Sequence, residues 1–392
     1  MFGDWWILLW KVREDKRMKS GPLVDGFLKT HRILESNLFL LIFLLLITVV
    51  PLCISPESIA NRDIIVEKVS AVGMEEWQVK VDSGYDDYSH SITESLEGGY
   101  VVGGTYMYND ARGRCATDKP CKYAYKYPRI IWLKHDGIVT SDIIYASERL
   151  DGEPVSFFPT GREEYIIGSY WSIMKLGEGN KIIFKKTFEY KNYGSIDVFS
   201  IIETSDGNYT FVGDRAPHNE IPSPAWIASI NQDGDLIWEH LFPNTSWFRK
   251  VADIGDGSYL IVDDENRLYS MDSPGHLVWN QTGLGEILAM RPSSGGYQIL
   301  VPGRSYDLNR EGNITRSVTF KPIDPVIWTN DGGFAGVSIE GENISVTRFD
   351  QEGKVVWQQG NPNRYRAKPV SLIETKDGGF AILLTVDNGT PS

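Results

Sequence analysis

The side chains best suited to chemistry are scattered in this chain. Its six histidines are His31, His90, His135, His218, His240 and His276, and none form the spaced pair of a zinc-binding H-E-x-x-H motif. Each reads as an isolated surface or loop histidine. The G-x-S-x-G turn that exposes a serine nucleophile does not occur. "GEGNKI" from Gly177 and "GGTY" from Gly103 lack the Lys-Ser/Thr that completes a phosphate-cradling loop. Asp253, Asp256, Asp263, Asp264 and Glu265 offer hard oxygen ligands of the kind calcium takes. Their spacing is not that of an EF-hand, and Asp256-Gly257 is accounted for as a hairpin turn. The expectation is therefore no catalytic residue and no cofactor, with calcium the one conceivable ion. Cys115 and Cys121 bracket a short loop, "CATDKPC". A local disulfide suits an oxidising compartment, free thiols are the alternative, and a metal site lacks further ligands nearby.

The elements that would hold such residues are short strands. "SITESLEGGYVVGGTY" from Ser91, "SIIETSDGNYTFVGD" from Ser200 and "VSLIETKDGGFAILLTVD" from Val370 each give a strand, an acidic-Gly turn, an aromatic and a second strand. Glycine supplies the positive φ such a turn needs. Weaker copies begin at Phe157, Val251, Ala289 and Val326. A second hairpin follows all but the one at Val370. Its clearest copies carry a tryptophan four residues after a turn glycine: Gly234/Trp238, Gly275/Trp279 and Gly353/Trp357. Four strands per unit at this period indicate propeller blades. A tryptophan at a fixed place in each blade reads as a packing device between sheets.

Seven first halves but only six second halves follow Ser91. The missing half stands at the other end, in "DIIVEKVSAVGMEEWQVKVDSG" from Asp63, where Trp77 follows Gly73 by four. The expected fold is all-β: a seven-bladed β-propeller, with six or eight blades as alternatives. It is closed by pairing of residues 63–80 with 370–386, which removes the free sheet edges of an open stack.

Upstream, Leu38 to Ile54 is an uncharged apolar run, at the short end of what spans a bilayer. A basic flank precedes it, so the positive-inside rule places the N-terminus in the cytoplasm and the propeller outside. The expected organisation is a cytoplasmic segment 1–37, a transmembrane signal anchor 38–54, a linker 55–62 and the propeller 63–392. A cleaved signal peptide and a start at Met18 are alternatives. Cys53 invites a lipoprotein reading, but Leu52 stands where a small residue is wanted. Acceptor sequons at Asn208, Asn244, Asn280, Asn313, Asn343 and Asn388 all lie beyond the apolar run, as an external glycoprotein requires. The net charge is −13. That argues against sequence-independent nucleic-acid binding, which needs clustered Lys and Arg.

The Asp-Gly-Gly-aromatic turns and the tryptophans at 77, 238, 279 and 357 resemble the pyrroloquinoline-quinone-like propeller repeats, as in "DGGY…W" repeat proteins of archaeal and bacterial surfaces. The resemblance covers Asp63 to Ser392 and implies a scaffold. Quinone alcohol dehydrogenases of that superfamily use a vicinal disulfide, calcium-binding acids and a catalytic aspartate, and no Cys-Cys pair exists here.

Two long links break the pattern of short ones. Tyr106 to Pro128 carries Tyr106, Tyr108, Arg112, Arg114, Tyr123, Tyr125 and Tyr127, residue types that anchor interfaces. Arg215 to Pro224 is the second. Recognition concentrates on long loops of rigid scaffolds. The expected function is a membrane-anchored, non-catalytic binding or scaffold module at the plasma membrane, with a protein or glycan partner. A quinone-type or other enzyme using the central channel, and a scaffold for assembling envelope proteins, are the alternatives.

Overall fold

Each of the expected hairpins forms. The computed structural model describes residues 62–387 except 85, 96–97, 115–119, 146–153, 161–163, 170–171, 189–194, 217–223 and 256; residues 108–114, 120–125, 154–157, 178, 195–196, 216 and 387 are described in backbone only. The expected cytoplasmic segment and membrane span, and all of the expected linker but Arg62, which opens a strand, therefore lie outside the described residues, as do Cys115, Asp256 and Asn388. Among the described residues no helix is long and apolar enough to cross a membrane.

Among the described residues, twenty-eight strands form seven four-stranded antiparallel sheets. Blades 1 to 6 follow one another from Asp86 to Pro362, each with its strands in chain order. Blade 7 is composite: Lys368–Glu374 is followed by Phe380–Asp387, then by Arg62–Val69 and Glu75–Val81 from the other end of the domain. Eight residue pairs join the two ends, from Arg62 opposite Asp387 to Val69 opposite Phe380. The chain is a seven-bladed β-propeller.

Burial follows position in the blade. Middle strands lie between neighbouring blades and are buried on both faces, so they read as continuous apolar runs such as Tyr259–Asp263 and Ala225–Ile230. Fourth strands lie on the perimeter and alternate, as Leu236–Phe242 does.

The two halves of the repeat meet across blade boundaries. Trp77 in blade 7 packs edge-on against Tyr100 of the blade 1 hairpin, with ring centroids 5.6 Å apart, and its Nε1 donates to His135 O at 2.9 Å. Its ring covers Gly137, where a Cβ would come within 2.7 Å of the indole. Trp279 repeats this toward blade 5, against Tyr297 at 5.8 Å, donating to Arg310 O at 2.8 Å over Gly312. Trp238 pairs with Tyr259 over Gly275, and Trp357 with Phe380 over Gly73. The turn glycine thus makes room for the preceding blade's indole. Such ring pairs add about 0.5–1.5 kcal/mol beyond the area they bury.

The exceptions obey the same logic. In blade 5 Arg316 takes the tryptophan's place and its Nη2 donates to Gln351 O at 3.3 Å. Blade 2 uses Phe184, whose ring lies over Gly234. Blade 1 has Ser141 there, opposite Trp132 in the register, and the matching turn of blade 2 carries Asn180 at φ 62° in place of glycine. With no large ring above the turn, a side chain is tolerated. Gly312→Asn should therefore destabilise the domain by about 2–4 kcal/mol, combining left-handed strain with overpacking. Asn180→Gly should stay within about 0.5 kcal/mol of the parent, as αL favours glycine. Urea unfolding of the two variants side by side measures the contrast.

The acid of the first hairpin also has a packing role. Asp377 accepts from Thr375 Oγ1 at 2.5 Å and from Gly379 N at 2.9 Å, and pairs with the buried Lys68 of the neighbouring strand at 3.0 Å. Burial acts to raise its pKa, but these bonds and the Lys68 charge bring it down to about 2. Arg348 holds Asp331 in the same way in blade 6.

Candidate functional site

The segment expected as a loop between Tyr106 and Pro128 is a paired ribbon. The second and third strands of blade 1 run Tyr100–Arg114 and Pro120–Leu133. The first strand of that blade pairs only as far as Met107, and the fourth only as far as Arg129. Beyond those points the two middle strands continue together: Tyr108 opposite Tyr125, Asp110 opposite Tyr123, Gly113 opposite Cys121 and Arg114 opposite Pro120. Directly paired residues share one side of a two-stranded ribbon. Tyr106, Tyr108, Tyr123, Tyr125 and Tyr127 therefore occupy register positions of one parity, and at the root the Tyr106 and Tyr127 rings stack at 6.4 Å. Arg112 lies within the register shift between Asp110 and Gly113. The Cys115 end of the expected disulfide lies outside the described residues.

The root of the ribbon sits on a buried charge network at the seam of blades 7 and 1. Arg129 is 1% exposed and its guanidinium lies 2.6 Å from Asp87, which is fully buried. Its other edge grips Asp142 bidentately, Nε at 2.9 Å and Nη2 at 2.6 Å. Ser83 donates to Asp87 from N and Oγ, at 3.1 and 2.8 Å. Burial lifts the Asp87 carboxyl above its usual range, partly offset by the Arg129 charge and the Ser83 bonds. Beside it, Lys80 Nζ holds the buried Asp63 at 2.7 Å. Arg62 stacks over Tyr88 at 4.5 Å, and His90 Nε2 lies 2.6 Å from Thr105 Oγ1.

Oxygens of Asp63, Asp82 and Asp87 converge within 4.8 Å of one another, a grouping of metal-ligating type. Lys80 and Arg129 already balance two of the three carboxylates, so the arrangement explains itself as ion pairing. Two of the acids expected as conceivable calcium ligands are held by protein donors. Asp263 is fully buried and accepts from Arg267 N, Arg267 Nε and Tyr269 OH, and Asp253 accepts from Ser205 N and Gly255 N.

A second acid pair lies on blade 3. Asp197, on its first strand, stands opposite Asp214 on the second. Burial, and then the Asp214 charge, push Asp197 up to about 7. In blade 7 the fully buried Glu67 is pushed up to about 6 by burial, against bonds donated by Asn361 and Gln78. An acid with a raised folded pKa favours the folded state most below its unfolded pKa, near 4, and that contribution is lost as pH rises through the folded value. Stability should therefore fall between pH 5 and pH 8, by about 2–4 kcal/mol from Asp197 alone. Asp197→Asn should be the more stable protein at pH 8 and should flatten the slope near pH 7. Urea unfolding at pH 5, 6.5 and 8 reads both.

Of the remaining expected positions, Asn244, Asn280, Asn313 and Asn343 are exposed, while Asn208 is half-buried with its amide donating to Asp206 Oδ2 at 2.8 Å. Asn280 lies within the perimeter strand Leu277–Gln281, opposite Tyr269, rather than in a link between strands. At the second long link, Arg215 pairs with Glu239 at 2.5 Å and lies over Trp226; residues 217–223 are outside the described set.

No protein-family model matches the sequence, and no curated protein matches it either. Solved structures resemble it in fold at low identity. A protein of unknown function from Bacteroides caccae is 15% identical, with 59% of this chain and 90% of that one covered and a TM-score of 0.42. The C-terminal WD40 domain of Sif2 is 10% identical over 74% of this chain and 77% of that one, with a TM-score of 0.47. BBS1N, solved in complex with ARL6DN, is 11% identical over 76% and 91%, with a TM-score of 0.45.

Proposed function

We propose that this protein is a non-catalytic binding module that captures a protein partner along the tyrosine positions of the blade 1 ribbon. The observation that carries this reading is the ribbon itself: it outruns both neighbouring strands, with five tyrosines at register positions of one parity. Tyrosine supplies large, rigid contact area at low entropic cost and is enriched at interface hot spots. The buried Arg129 network at its root would hold it at a fixed angle, which lowers the ordering cost of binding. The apolar run 38–54 and the sequons that follow it support a module tethered at the outer face of the plasma membrane, of the quinoprotein-like repeat type. A role in assembling envelope proteins is a specific form of this reading.

Joining Met107 to Lys126, which face each other in the register, through Asn-Gly removes the ribbon and leaves the blade. The thermal midpoint should change by no more than a few degrees. Partners that cross-link to and co-purify with the parent from membranes should be lost. Unchanged recovery of the same partners would sink the ribbon reading, and co-purified assembly machinery would favour the envelope role.

A further inference from the structure

A cleft of about 820 Å³ opens where the link from blade 6 to blade 7 passes the Gly341–Glu342 turn of blade 6. Its charged lining is Arg364, Arg366 and Lys368 against Glu342, with Arg364 also paired to Glu75 beside the cleft. That is a local excess of positive charge on a chain whose net charge is −13. The volume is that of a small-ligand site.

The link is built to present these groups. Asn363 clamps it, accepting from Ala367 N at 2.8 Å and donating Nδ2 to Ala367 O at 3.0 Å, while its own N bonds Glu342 O at 2.9 Å. This turn holds Arg366 at φ 53°, a left-handed conformation in which glycine is the unstrained choice. An arginine there keeps a cation at the cleft at the expense of local strain, and residues held so cluster at functional sites. Arg364 is oriented in advance: Nη1 bonds both Glu75 at 2.8 Å and Gln78 at 3.2 Å. A guanidinium fixed on one nitrogen has its remaining donors set for a second, planar acceptor, and phosphate oxygens match that fork.

We infer that this cleft binds a phosphate-bearing small ligand, with Arg364 and Arg366 donating to the phosphate oxygens. A soluble phosphomonoester and a phospholipid headgroup share that chemistry. The test is calorimetric titration of the full-length protein with glycerol 3-phosphate, inorganic phosphate and monomeric dihexanoyl-phosphatidylglycerol. Saturable binding that weakens with added salt is expected. A tenfold preference for the monoester assigns a soluble ligand, and the reverse preference assigns a headgroup.

Arg366→Gly is the decisive variant. It should unfold at or above the parent's thermal midpoint, because the backbone strain is relieved, yet bind the preferred probe at least tenfold more weakly. Arg364→Gln should lose a similar factor. Parental affinity in both variants, or no saturable binding of any of the three probes, would overturn the assignment. The cleft includes no ribbon residue, so its failure leaves the ribbon reading untouched.

Discussion

Deleting Arg62–Val81 is expected to abolish the cooperative fold, while moving the same strands behind Asp387 on a short linker restores it. The deletion strips blade 7 of its third and fourth strands. It leaves Phe380–Asp387, five of whose apolar residues are at most 1% exposed, with no partner on one edge. The removed strand buries Ile64, Ile65, Val66 and Val69 completely. At about 1.5–3 kcal/mol for each such side chain, the loss is about 6–12 kcal/mol, as large as the whole stability of an ordinary domain. The permuted chain makes the same pairs, beginning from Arg62 opposite Asp387, where a tight connection suffices. Urea unfolding should show no cooperative transition for the deletion and a midpoint close to the parent's for the permutant. A deletion that still unfolds cooperatively with the parent's midpoint would refute the closure argument.

The second large effect centres on Arg129. Arg129→Met is expected to cost about 3–5 kcal/mol, since it strands the buried carboxylate of Asp87 without a counter-charge. The defect has a recognisable pH signature. Burial already lifts Asp87 despite the arginine; without it the folded pKa climbs further, so the variant should regain stability as pH falls through that higher value. Asp87→Asn in the same chain should recover most of the loss at pH 7, because an amide needs no counter-ion. If Arg129→Met alone leaves stability within about 1 kcal/mol of the parent, the network is a surface pairing rather than the buried hub described here. The variant should also weaken partner capture more than its stability loss explains, since Arg129 adjoins the root of the ribbon.

Much of the architecture was legible because the repeat is local. The Gly-to-Trp spacing of four, in phase with the Asp-Gly hairpin, is enough to count blades and to assign Asp63–Gly84 to blade 7. What the spacing did not reveal is which partner each residue serves: Gly137 makes room for Trp77 of the preceding blade, not for its own strand. The signal was present, since the turn preceding Phe184 carries Asn180 next to the blade that has Ser141, but it crosses repeat boundaries. The ribbon's Lys, Asp, Gly and Pro content is that of a link between strands. Its alternating tyrosines, at 106 and 108 and at 123, 125 and 127, were the period-two signal of paired strands. Arg129, Asp87 and Asp63 were invisible for a different reason. Lys, Arg and Asp are seldom fully buried, and nothing in the local sequence of these residues marks them as buried.

Closure of the ring by strands from both ends also sets a clock. Asp63 pairs with Val386, so the first propeller strand to be made must wait for a partner at the far end of the domain. At about 5–20 residues per second, that wait is roughly 15–60 s. Throughout it, Ile64, Ile65 and Val66 have only the Glu75–Val81 strand beside them; the edge that Phe380–Asp387 will cover stays open, and an unpaired apolar edge is what aggregates or recruits a holding chaperone. Slow translation should therefore lower the yield of this protein more than that of a propeller whose blades are each contiguous in sequence.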